Sequence, residues 1–243
     1  MKNEPKIIFE DEFLLVIDKP SGWITNEADT AVGQPVVQTW LSKNLKYPIS
    51  NNKLIRCGVV HRLDKETSGI LLVAKTPEVF EYLQRQFKER NVEKSYVALV
   101  HGKVDPPAGG VGEIEAPVGR LPWRRDRFGV LAGGREAKTR YKVTRYYDTK
   151  GENYSLVEFY PKTGRTHQIR IHAKYIGHPL VSDEFYAGRK TARKDRTWCP
   201  RLFLHAGSIK FSHPVKGELV EFDSGLSSDL LSVLKKLEKI DYT

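Results

Sequence analysis

Residues 59–75 read VVHRLDKETSGILLVAK, a run of polar and charged residues between two apolar segments. The segment GILLVAK predicts a buried β-strand, because it is a short continuous apolar run. A loop between buried elements normally draws on Gly, Asn and Pro, whereas this one carries Asp64 flanked by Arg62 and Lys65. The ordinary interpretation is a connecting loop held by an ion pair. Loops set between rigid elements also carry sites, so Asp64 is a candidate functional carboxylate.

The composition favours an anionic partner. The 243-residue chain has 40 Lys and Arg against 30 Asp and Glu, a formal net charge of +10. This excess indicates nucleic acid first and an anionic membrane second. No stretch approaches the roughly 20 apolar residues of a membrane-spanning helix, and the charged N-terminal segment does not resemble a signal peptide. Cys57 and Cys199 have no ligand-spaced Cys or His neighbours, so we expect no zinc site and a cytoplasmic location.

The order of predicted elements indicates an α+β fold with a mixed, largely antiparallel central sheet and flanking helices. Strands are predicted at KIIFED, FLLVIDKP, GILLVAK and KSYVALVHG, and in a meander between residues 112 and 160. A helix is predicted after Thr76, which caps it, with Pro77 in the first helical position. The buried face of this helix is predicted to consist of Val79, Phe80, Leu83 and Phe87.

Two predictions concern the C-terminal part of the chain. RLFLHAGSIKFSHP, residues 201–214, is predicted to be a pair of strands. SSDLLSVLKKLEKI is predicted to be an amphipathic terminal helix. Its inward side chains are predicted to be Leu230, Leu231, Leu234 and Leu237. With no linker-like composition anywhere, the chain is expected to form one domain over residues 1–243.

The segment TGRTHQIRIHAKYIGHP, residues 163–179, is a second candidate site. It predicts a helix capped by Thr166 and ended by Gly177. Helical periodicity puts Ile169, Ala173 and Ile176 on an apolar stripe, and His167, Arg170 and Lys174 along an adjoining basic edge. His167 and His172 point about 140° apart on such a helix, which does not suit a shared metal. His172 is predicted to be a packed, hydrogen-bonded histidine.

The stretch from Arg120 to Arg145 is strongly basic, with Asp126 and Glu136 as its only acidic residues. Trp123 and Phe128 are interleaved with its arginines. Such a pattern offers phosphate contacts and a stacking surface to RNA. The candidate contacts are Arg124, Arg125 and Arg127. The alternative is a solvated hairpin.

HRLDKETSG and GRTHQIRIHAKYIGHPLVSDEFYAG resemble the signature segments of the RNA pseudouridine synthases, in the branch related to the ribosomal large-subunit enzymes (the RluA type). The resemblance continues through FEDEFLLVIDKPSGW, KSYVALVHG and RLFLHAGSIKFSHP, and covers nearly the whole chain in family order. It implies an RNA-binding cleft and isomerisation of uridines to pseudouridine in ribosomal or transfer RNA stem-loops. Many relatives carry a small N-terminal RNA-binding domain. Here the catalytic pattern begins almost at Met1, so a single catalytic domain is expected, acting as a monomer without an obligate protein partner.

The resemblance implies roles for individual residues. Asp64 matches the catalytic carboxylate, and Tyr96 in KSYVALVHG matches an active-site tyrosine. Burial alone would raise the pKa of a carboxyl group, and a facing guanidinium opposes that shift. Arg170 is the expected partner of Asp64, with Arg165 as the rival. The remaining candidate substrate-binding residues are His61, Arg62, Arg165, Thr166, His167 and Gln168.

The expected chemistry adds no atom to the RNA, so it needs no metal, redox cofactor or nucleotide. Arg62 is expected to intercalate or to clamp a phosphate after the uridine flips out, although a simple ion pair within the loop is nearly as plausible. One alternative function is a non-catalytic RNA-binding or ribosome-assembly module. It is disfavoured because Asp64, Tyr96 and Arg170 are all present. A metal- or carboxylate-dependent nucleic-acid hydrolase is disfavoured because no ligand cluster is evident.

Overall fold

The computed structural model describes residues 4–28, 31–105, 110–149 and 151–240, without the side chains of Arg125, Lys239 and Ile240. The chain forms two compact units. The first comprises Met1–Lys94 and Ala206–Gly225, and the second comprises Ser95–His205 and Leu226–Thr243. Both units are discontinuous in sequence, which agrees with the lack of a linker. That both belong to one catalytic domain over residues 1–243 stays a prediction.

Strands dominate both units. In chain order they are β1 (Lys6–Glu10), β2 (Leu14–Lys19), β3 (Ser68–Ala74), β4 (Glu93–His101), β5 (Gly112–Glu115), β6 (Val118–Leu121), β7 (Arg124–Val130), β8 (Lys138–Thr149), β9 (Glu152–Pro161), β10 (Leu204–Ser212), β11 (Leu219–Asp223) and β12 (Glu238–Ile240). The α-helices are α1 (Val37–Asn44), α2 (Pro77–Glu89), α3 (Gln168–Tyr175), α4 (Arg189–Asp195) and α5 (Ser228–Lys235). This mixture of helices with mostly antiparallel strands confirms the predicted α+β class. Among the described residues, no helix is long and apolar enough to span a membrane.

In the first unit, β1, β2 and β3 pair antiparallel, with Val16 opposite Leu72. β10 lies beside β3 and pairs antiparallel with β11. The predicted buried strand is confirmed, since every residue of β3 is buried. Gly69 is required at its start, because its φ is +110° and a Cβ there would lie 2.2 Å from the Ala206 carbonyl oxygen.

The helix that follows β3 begins as predicted. Thr76 Oγ1 accepts a hydrogen bond from the Val79 N–H (3.3 Å), and Pro77 occupies the first helical position. Val79, Phe80 and Leu83 of this helix, α2, are buried. α2 packs against β3, so the segment that follows the strand is held against it.

In the second unit, β4, β9, β8 and β12 are neighbours in that order. The two faces of β4 contribute to two cores, because successive side chains of a strand point to opposite sides of the sheet. Ala98 and Val100 face the core that buries Ile169 and Ala173 of α3. Leu99 faces a second core, which α5 closes. The predicted apolar stripe of α3 is thereby confirmed.

The prediction of two strands within residues 201–214 was wrong. This segment forms one strand, β10, and its antiparallel partner is β11. The chain reverses between His213 and Glu218, where the His213 N–H donates to the Glu218 carbonyl oxygen (2.8 Å). The chain therefore turns at the C-terminal end of the predicted stretch, and the turn extends beyond Pro214.

The terminal helix exists, but its predicted inward face was partly wrong. Leu230, Val233 and Leu237 are buried, whereas Leu231 is 44% exposed. The buried positions follow a spacing of three and four residues. The helix ends at Lys235, and the chain continues as β12 beside β8. This pairing fixes the rotation of α5 and leaves Leu231 outside.

Candidate active site

Residues 61–67, here called the polar loop, lead into β3 in the first unit. Leu63 and Thr67 are buried, Asp64 is partly exposed, and Arg62 and Lys65 are exposed. The Thr67 N–H donates to the Asp64 carbonyl oxygen (3.1 Å), so the chain turns at this residue. The buried side chains of Leu63 and Thr67 thus anchor the loop, while those of Arg62 and Lys65 face solvent.

The anchoring segment, residues 19–25, holds the polar loop by its carbonyl oxygens. Lys19 Nζ donates to the Lys65 carbonyl oxygen (3.3 Å), and the Ser21 hydroxyl donates to that of Glu66 (2.8 Å). Lys19 is fully buried, and its ammonium also donates to two carbonyls of its own segment. Buried polar groups need such partners. The lysine therefore fixes the main chain on the C-terminal side of Asp64.

Thr25 fixes the main chain on the other side of Asp64. Its hydroxyl donates to the Leu63 carbonyl oxygen (2.8 Å) and accepts from the Leu63 N–H (3.2 Å). Thr25 is 3% exposed, so these bonds are shielded from water. Sequence reasoning missed Lys19 and Thr25 as supports. The available signal was a lysine at the end of the largely apolar strand β2 and a threonine six residues further along the chain.

His61 is a structural histidine in this arrangement. The Leu72 N–H of β3 donates to its Nε2 (3.0 Å), and its ring stacks on Phe87 with centroids 4.9 Å apart. Because Nε2 accepts, the imidazole is neutral and carries its proton on Nδ1. Burial, with Lys94 and Arg56 nearby, lowers the pKa of His61 to about 3. Contact of His61 with substrate stays a prediction.

The side chain of Arg170, on α3, is buried inside the second unit. It is 5% exposed, and its Nε and Nη2 donate to the two carboxylate oxygens of Asp183 (2.7 and 2.9 Å). Its guanidinium faces the rings of Phe185 and Tyr186, at 5.4 and 5.0 Å. The prediction of a basic edge shared with Lys174 was wrong, since Lys174 is exposed and Arg170 is buried. The ion pair between Arg170 and Asp64 stays a prediction.

Asp183 was missed by sequence reasoning. Besides pairing with Arg170, its Oδ1 accepts the backbone N–H groups of Phe185 and Tyr186 (3.0 and 3.1 Å). The carboxylate is fully buried within its unit. Asp183 therefore positions the guanidinium and also closes a turn. Its signal in the sequence was an acidic residue in the SDEFY turn that follows the helix.

The turn before α3 differs from the predicted cap. The helix begins at Gln168, and the preceding residue, His167, has a φ of +56° and makes no capping side-chain bond. Thr166 is exposed, so the predicted Thr166 cap was wrong. Gln168 Oε1 accepts from the Thr163 hydroxyl (2.7 Å) and the Arg165 N–H (3.0 Å), and its Nε2 donates to two oxygens of β8. This saturation favours a supporting role for Gln168 over contact with RNA.

Arg165 and His167 are partly exposed. Arg165 Nε donates to the Glu136 carbonyl oxygen (2.9 Å). His167 Nδ1 is hydrogen-bonded to the Tyr186 hydroxyl (2.9 Å), and the ring of Phe128 lies edge-on to it at 6.4 Å. Both residues are therefore tied to neighbouring segments of their unit, and their contact with substrate stays a prediction.

Tyr96 lies on β4, opposite Phe159 of β9. It is partly exposed and packs against the core that contains Ala98. One face of the ring thus belongs to the core, while part of the side chain remains accessible. The catalytic role of its hydroxyl stays a prediction.

β6 and β7 form the basic hairpin, with Trp123 at its tip, 72% exposed. Arg124 contacts Asp126 (3.4 Å) on the exposed side. Arg127 Nη1 instead donates to the Phe185 carbonyl oxygen (3.0 Å), and its guanidinium faces the Phe185 ring. Arg127 therefore ties the hairpin to its own unit, while Arg124 remains on the surface. The side chain of Arg125 lies outside the described residues.

His172 is a packed histidine, as predicted. It is fully buried, and its two ring nitrogens are hydrogen-bonded to the Thr139 hydroxyl (2.9 Å) and the Ala116 carbonyl oxygen (3.0 Å). In the part of the chain that the structure describes, no group of three or more His, Cys, Asp or Glu side chains is arranged to hold a metal ion.

Comparison with known families identifies the class of protein. The model of the RNA pseudouridylate synthase family matches residues 13–175, which include Asp64, Tyr96 and Arg170. The chain belongs to this family and is an RNA pseudouridine synthase, an enzyme that isomerises uridine in RNA.

Individual relatives agree with this assignment. The chain is 36% identical over 242 residues to ribosomal large subunit pseudouridine synthase D of Nitrosomonas europaea, covering 98% of this chain and 67% of the relative. It is also 36% identical to an uncharacterised RNA pseudouridine synthase, YlyB, of Bacillus subtilis, covering 96% and 73%. The structure of human RNA pseudouridylate synthase domain containing 1 aligns with a TM-score of 0.73 at 26% identity, covering 98% of this chain and 89% of the human one.

Proposed function

We propose that the enzyme isomerises uridines in large-subunit ribosomal RNA, with Asp64 as its catalytic carboxylate. The observation that carries the catalytic assignment is the polar loop. Thr25 and Lys19 hold its main chain on either side of Asp64, and the side chain remains partly exposed. Relatives named ribosomal large subunit pseudouridine synthase D, at 36% identity, support ribosomal RNA over transfer RNA, which is the alternative.

The reaction conserves all atoms of the nucleotide. The bond from uracil N1 to ribose C1′ breaks, a bond from C5 to C1′ forms, and the proton on C5 moves to N1 through the enzyme or solvent. An ionised Asp64 either attacks the nucleotide or removes a ribose proton, two roles open to a positioned carboxylate. No electrons leave the substrate, so this chemistry requires no redox cofactor, nucleotide or metal.

Tyr96 and Arg170 are proposed to serve the same reaction. The partly exposed ring of Tyr96 suits stacking on the uracil, and its hydroxyl suits proton transfer at C5. Arg170 is held by Asp183 in a bidentate pair, so its guanidinium is pre-oriented. A guanidinium that faces a catalytic carboxylate keeps it ionised. We therefore retain Arg170 as the proposed partner of Asp64, with Arg165 as the rival.

RNA outside the target uridine is proposed to contact the basic hairpin through Arg124, Arg125 and the exposed Trp123. Arg127 contributes by holding the hairpin in place. Arg62 is proposed to contact the RNA strand at the flipped nucleotide, and His61, Thr166 and His167 to line its path. The enzyme is proposed to act in the cytoplasm as a monomer, on a stem-loop and without an obligate protein partner.

The test is to map pseudouridine, by chemical labelling, in ribosomal and transfer RNA from cells with and without this gene. We expect one or more pseudouridines of ribosomal RNA to be missing in the cells without the gene. The purified wild-type protein should restore them on the RNA extracted from those cells. Asp64→Asn should restore nothing. If only a pseudouridine of transfer RNA is lost, the substrate is transfer RNA and not ribosomal RNA. Activity should survive chelation on an RNA whose fold is maintained by monovalent salt.

A further inference from the structure

The short helix α4 (Arg189–Asp195) of the second unit has one buried and one exposed face. Ala192 and Asp195 are buried, and their spacing of three residues puts them on the same side of the helix. The exposed face carries four cations, Arg189, Lys190, Arg193 and Lys194. Because successive residues of a helix are about 100° apart, these four side chains fall within an arc of about 140°. Asp195 is the only acidic residue of the helix, and it is turned into the unit.

Buried contacts of Asp195 hold α4 in place. Its Oδ2 accepts the Ser182 N–H (2.8 Å) and is hydrogen-bonded to His101 Nε2 (2.9 Å). Three residues after Ser182, the Phe185 carbonyl oxygen accepts from Arg127 of the basic hairpin (3.0 Å). The same short segment therefore positions both α4 and the basic hairpin.

Acidic side chains neutralise only part of the exposed face of α4. Lys194 Nζ forms an ion pair with Glu152. Within the described part of the chain, the side chains of Arg189, Lys190 and Arg193 make no ion pair or hydrogen bond. Three exposed positive charges thus lie within two helical turns without an anionic partner.

This arrangement is unfavourable for the helix itself. Arg189 and Arg193 are four residues apart, and like charges at that spacing destabilise a helix. Arg189 and Lys190 lie in the first turn, where cations oppose the helix dipole, and that turn contains no acidic residue. Gly188, which precedes the helix, makes no side-chain capping bond. Local patterns that oppose the observed structure are expected at functional sites, and here a bound anion would relieve the repulsion.

We propose that Arg189, Lys190 and Arg193 bind the phosphate backbone of a base-paired stem of the substrate RNA. The proposal rests on the proposed function, because the polyanion that this enzyme meets is its RNA. Exposed cations neutralise phosphates without reading the base sequence. Sites for unpaired RNA add aromatic rings on which bases stack, whereas α4 carries no aromatic side chain. The helix therefore fits a stem, and its contacts add to those proposed for the basic hairpin.

The test replaces Arg189, Lys190 and Arg193 together by glutamine, which is uncharged and favours a helix. Binding to a stem-loop of large-subunit ribosomal RNA is measured across a salt series. Three lost phosphate contacts should flatten the log–log salt slope by about 2–3. The slope for an oligouridylate, which has no stem, should change much less. The thermal midpoint should hold or rise, because the substitutions remove like-charge repulsion.

The matched control compares single variants of two neighbouring residues. Arg193→Gln removes an unpaired charge and should flatten the slope by about 0.7–0.9. Lys194→Gln removes a charge that Glu152 neutralises, so it should change the slope much less. The single-turnover rate of the saturated triple variant should stay within a few-fold of wild type, because phosphate contacts position the RNA and do not touch the reacting bond.

Parallel salt slopes for wild type and the triple variant would overturn the proposal. Equal flattening in Arg193→Gln and Lys194→Gln would also overturn it, since the effect would then follow net charge and not a contact. Equal flattening on the stem-loop and on the oligouridylate would overturn the assignment to a stem. If the triple variant instead keeps its RNA slope and loses binding to vesicles that contain phosphatidylserine, the exposed face binds a membrane.

The proposed function is tested separately from this contact. If wild type forms no pseudouridine on any ribosomal RNA, the proposed function fails. The salt slopes on base-paired RNA still report whether α4 contacts phosphates in that case.

Discussion

Two polar segments of this enzyme are built in opposite ways. The polar loop of the first unit is held through its backbone, whose carbonyl oxygens accept bonds from Lys19, Ser21 and Thr25. The side chains of Arg62 and Lys65 are exposed, and that of Asp64 is partly exposed. The turn before α3 and the start of that helix, in the second unit, are held through side chains, since Gln168 and Arg170 direct their polar groups into the unit.

The comparison teaches how to interpret polar residues beside apolar runs. In both segments polar and charged residues stand next to apolar ones, and both segments resemble family signatures. Backbone anchoring leaves side chains available for substrate, whereas side-chain anchoring makes them part of the scaffold. Mutations in the polar loop should therefore affect the chemistry with little change in stability, whereas mutations at the start of α3 should lower stability in addition to any effect on the reaction.

The largest expected effect is in the polar loop. Asp64→Asn keeps the size of the side chain and removes its charge, so we expect no detectable pseudouridine in a single-turnover assay on ribosomal RNA. RNA affinity should stay within a few-fold, because an anion does not attract RNA. The unfolding midpoint should also be unchanged. Substantial turnover by this variant would break the catalytic assignment.

Tyr96→Phe tests whether the Tyr96 hydroxyl takes part in the isomerisation. The ring remains, so RNA binding should hold. If the hydroxyl takes part in proton transfer, the single-turnover rate should fall by about 10²–10⁴. An unchanged rate at saturating enzyme would reduce Tyr96 to a stacking surface.

Arg170→Ala should act on stability. It leaves the buried Asp183 carboxylate without its charge partner, which costs roughly 3–5 kcal/mol in the free energy of unfolding. Urea unfolding monitored by circular dichroism measures this loss. The matched control is Arg165→Ala in the turn before α3. The Arg165 side chain is partly exposed, so its loss should lower the free energy of unfolding by about 1 kcal/mol or less. Equal costs would contradict the contrast between the two arginines.

His61 links stability to pH. Its folded-state pKa, about 3, lies below the ordinary value of 6.5, so the unfolded chain binds a proton there that the folded chain does not. Stability is therefore lost as the pH falls below about 6.5, by at most about 1.4 kcal/mol per pH unit. His61→Gln should flatten the stability curve between pH 7 and 5 relative to wild type. Curves of equal slope would show that His61 is readily protonated in the folded protein.

The smallest expected effect concerns the basic hairpin. If Arg124 contacts a phosphate, Arg124→Gln should flatten the log–log salt slope of RNA binding by about 0.7–0.9. Arg127→Gln should change the slope less, because Arg127 is bound to the Phe185 carbonyl oxygen. The same change in both variants would remove the distinction between a surface arginine and an anchoring one.

Several features could be predicted from sequence because they depend on local patterns. Continuous apolar runs gave β3, alternation gave the two faces of β4, and a threonine before a proline gave the start of α2. The signature segments gave the family, because a long match of polar and apolar residues in fixed order is specific.

Tertiary contacts decided what local patterns leave open. The rotation of α5 depends on the pairing of β12 with β8, so the exposure of Leu231 was not predictable from periodicity. The sequence shows an acidic residue in the turn after α3, but it does not show that Asp183 pairs with Arg170, because the two residues are 13 positions apart and meet only through the path of the chain.

The sequence by itself determined the class of enzyme and its principal strands, and it made Asp64 the candidate carboxylate, since these follow from local order and residue type. The tertiary structure decided which polar groups face outward. Every polar group that is buried must find a partner, and partners such as Lys19 for the polar loop and Asp183 for Arg170 are brought close only by the folded chain.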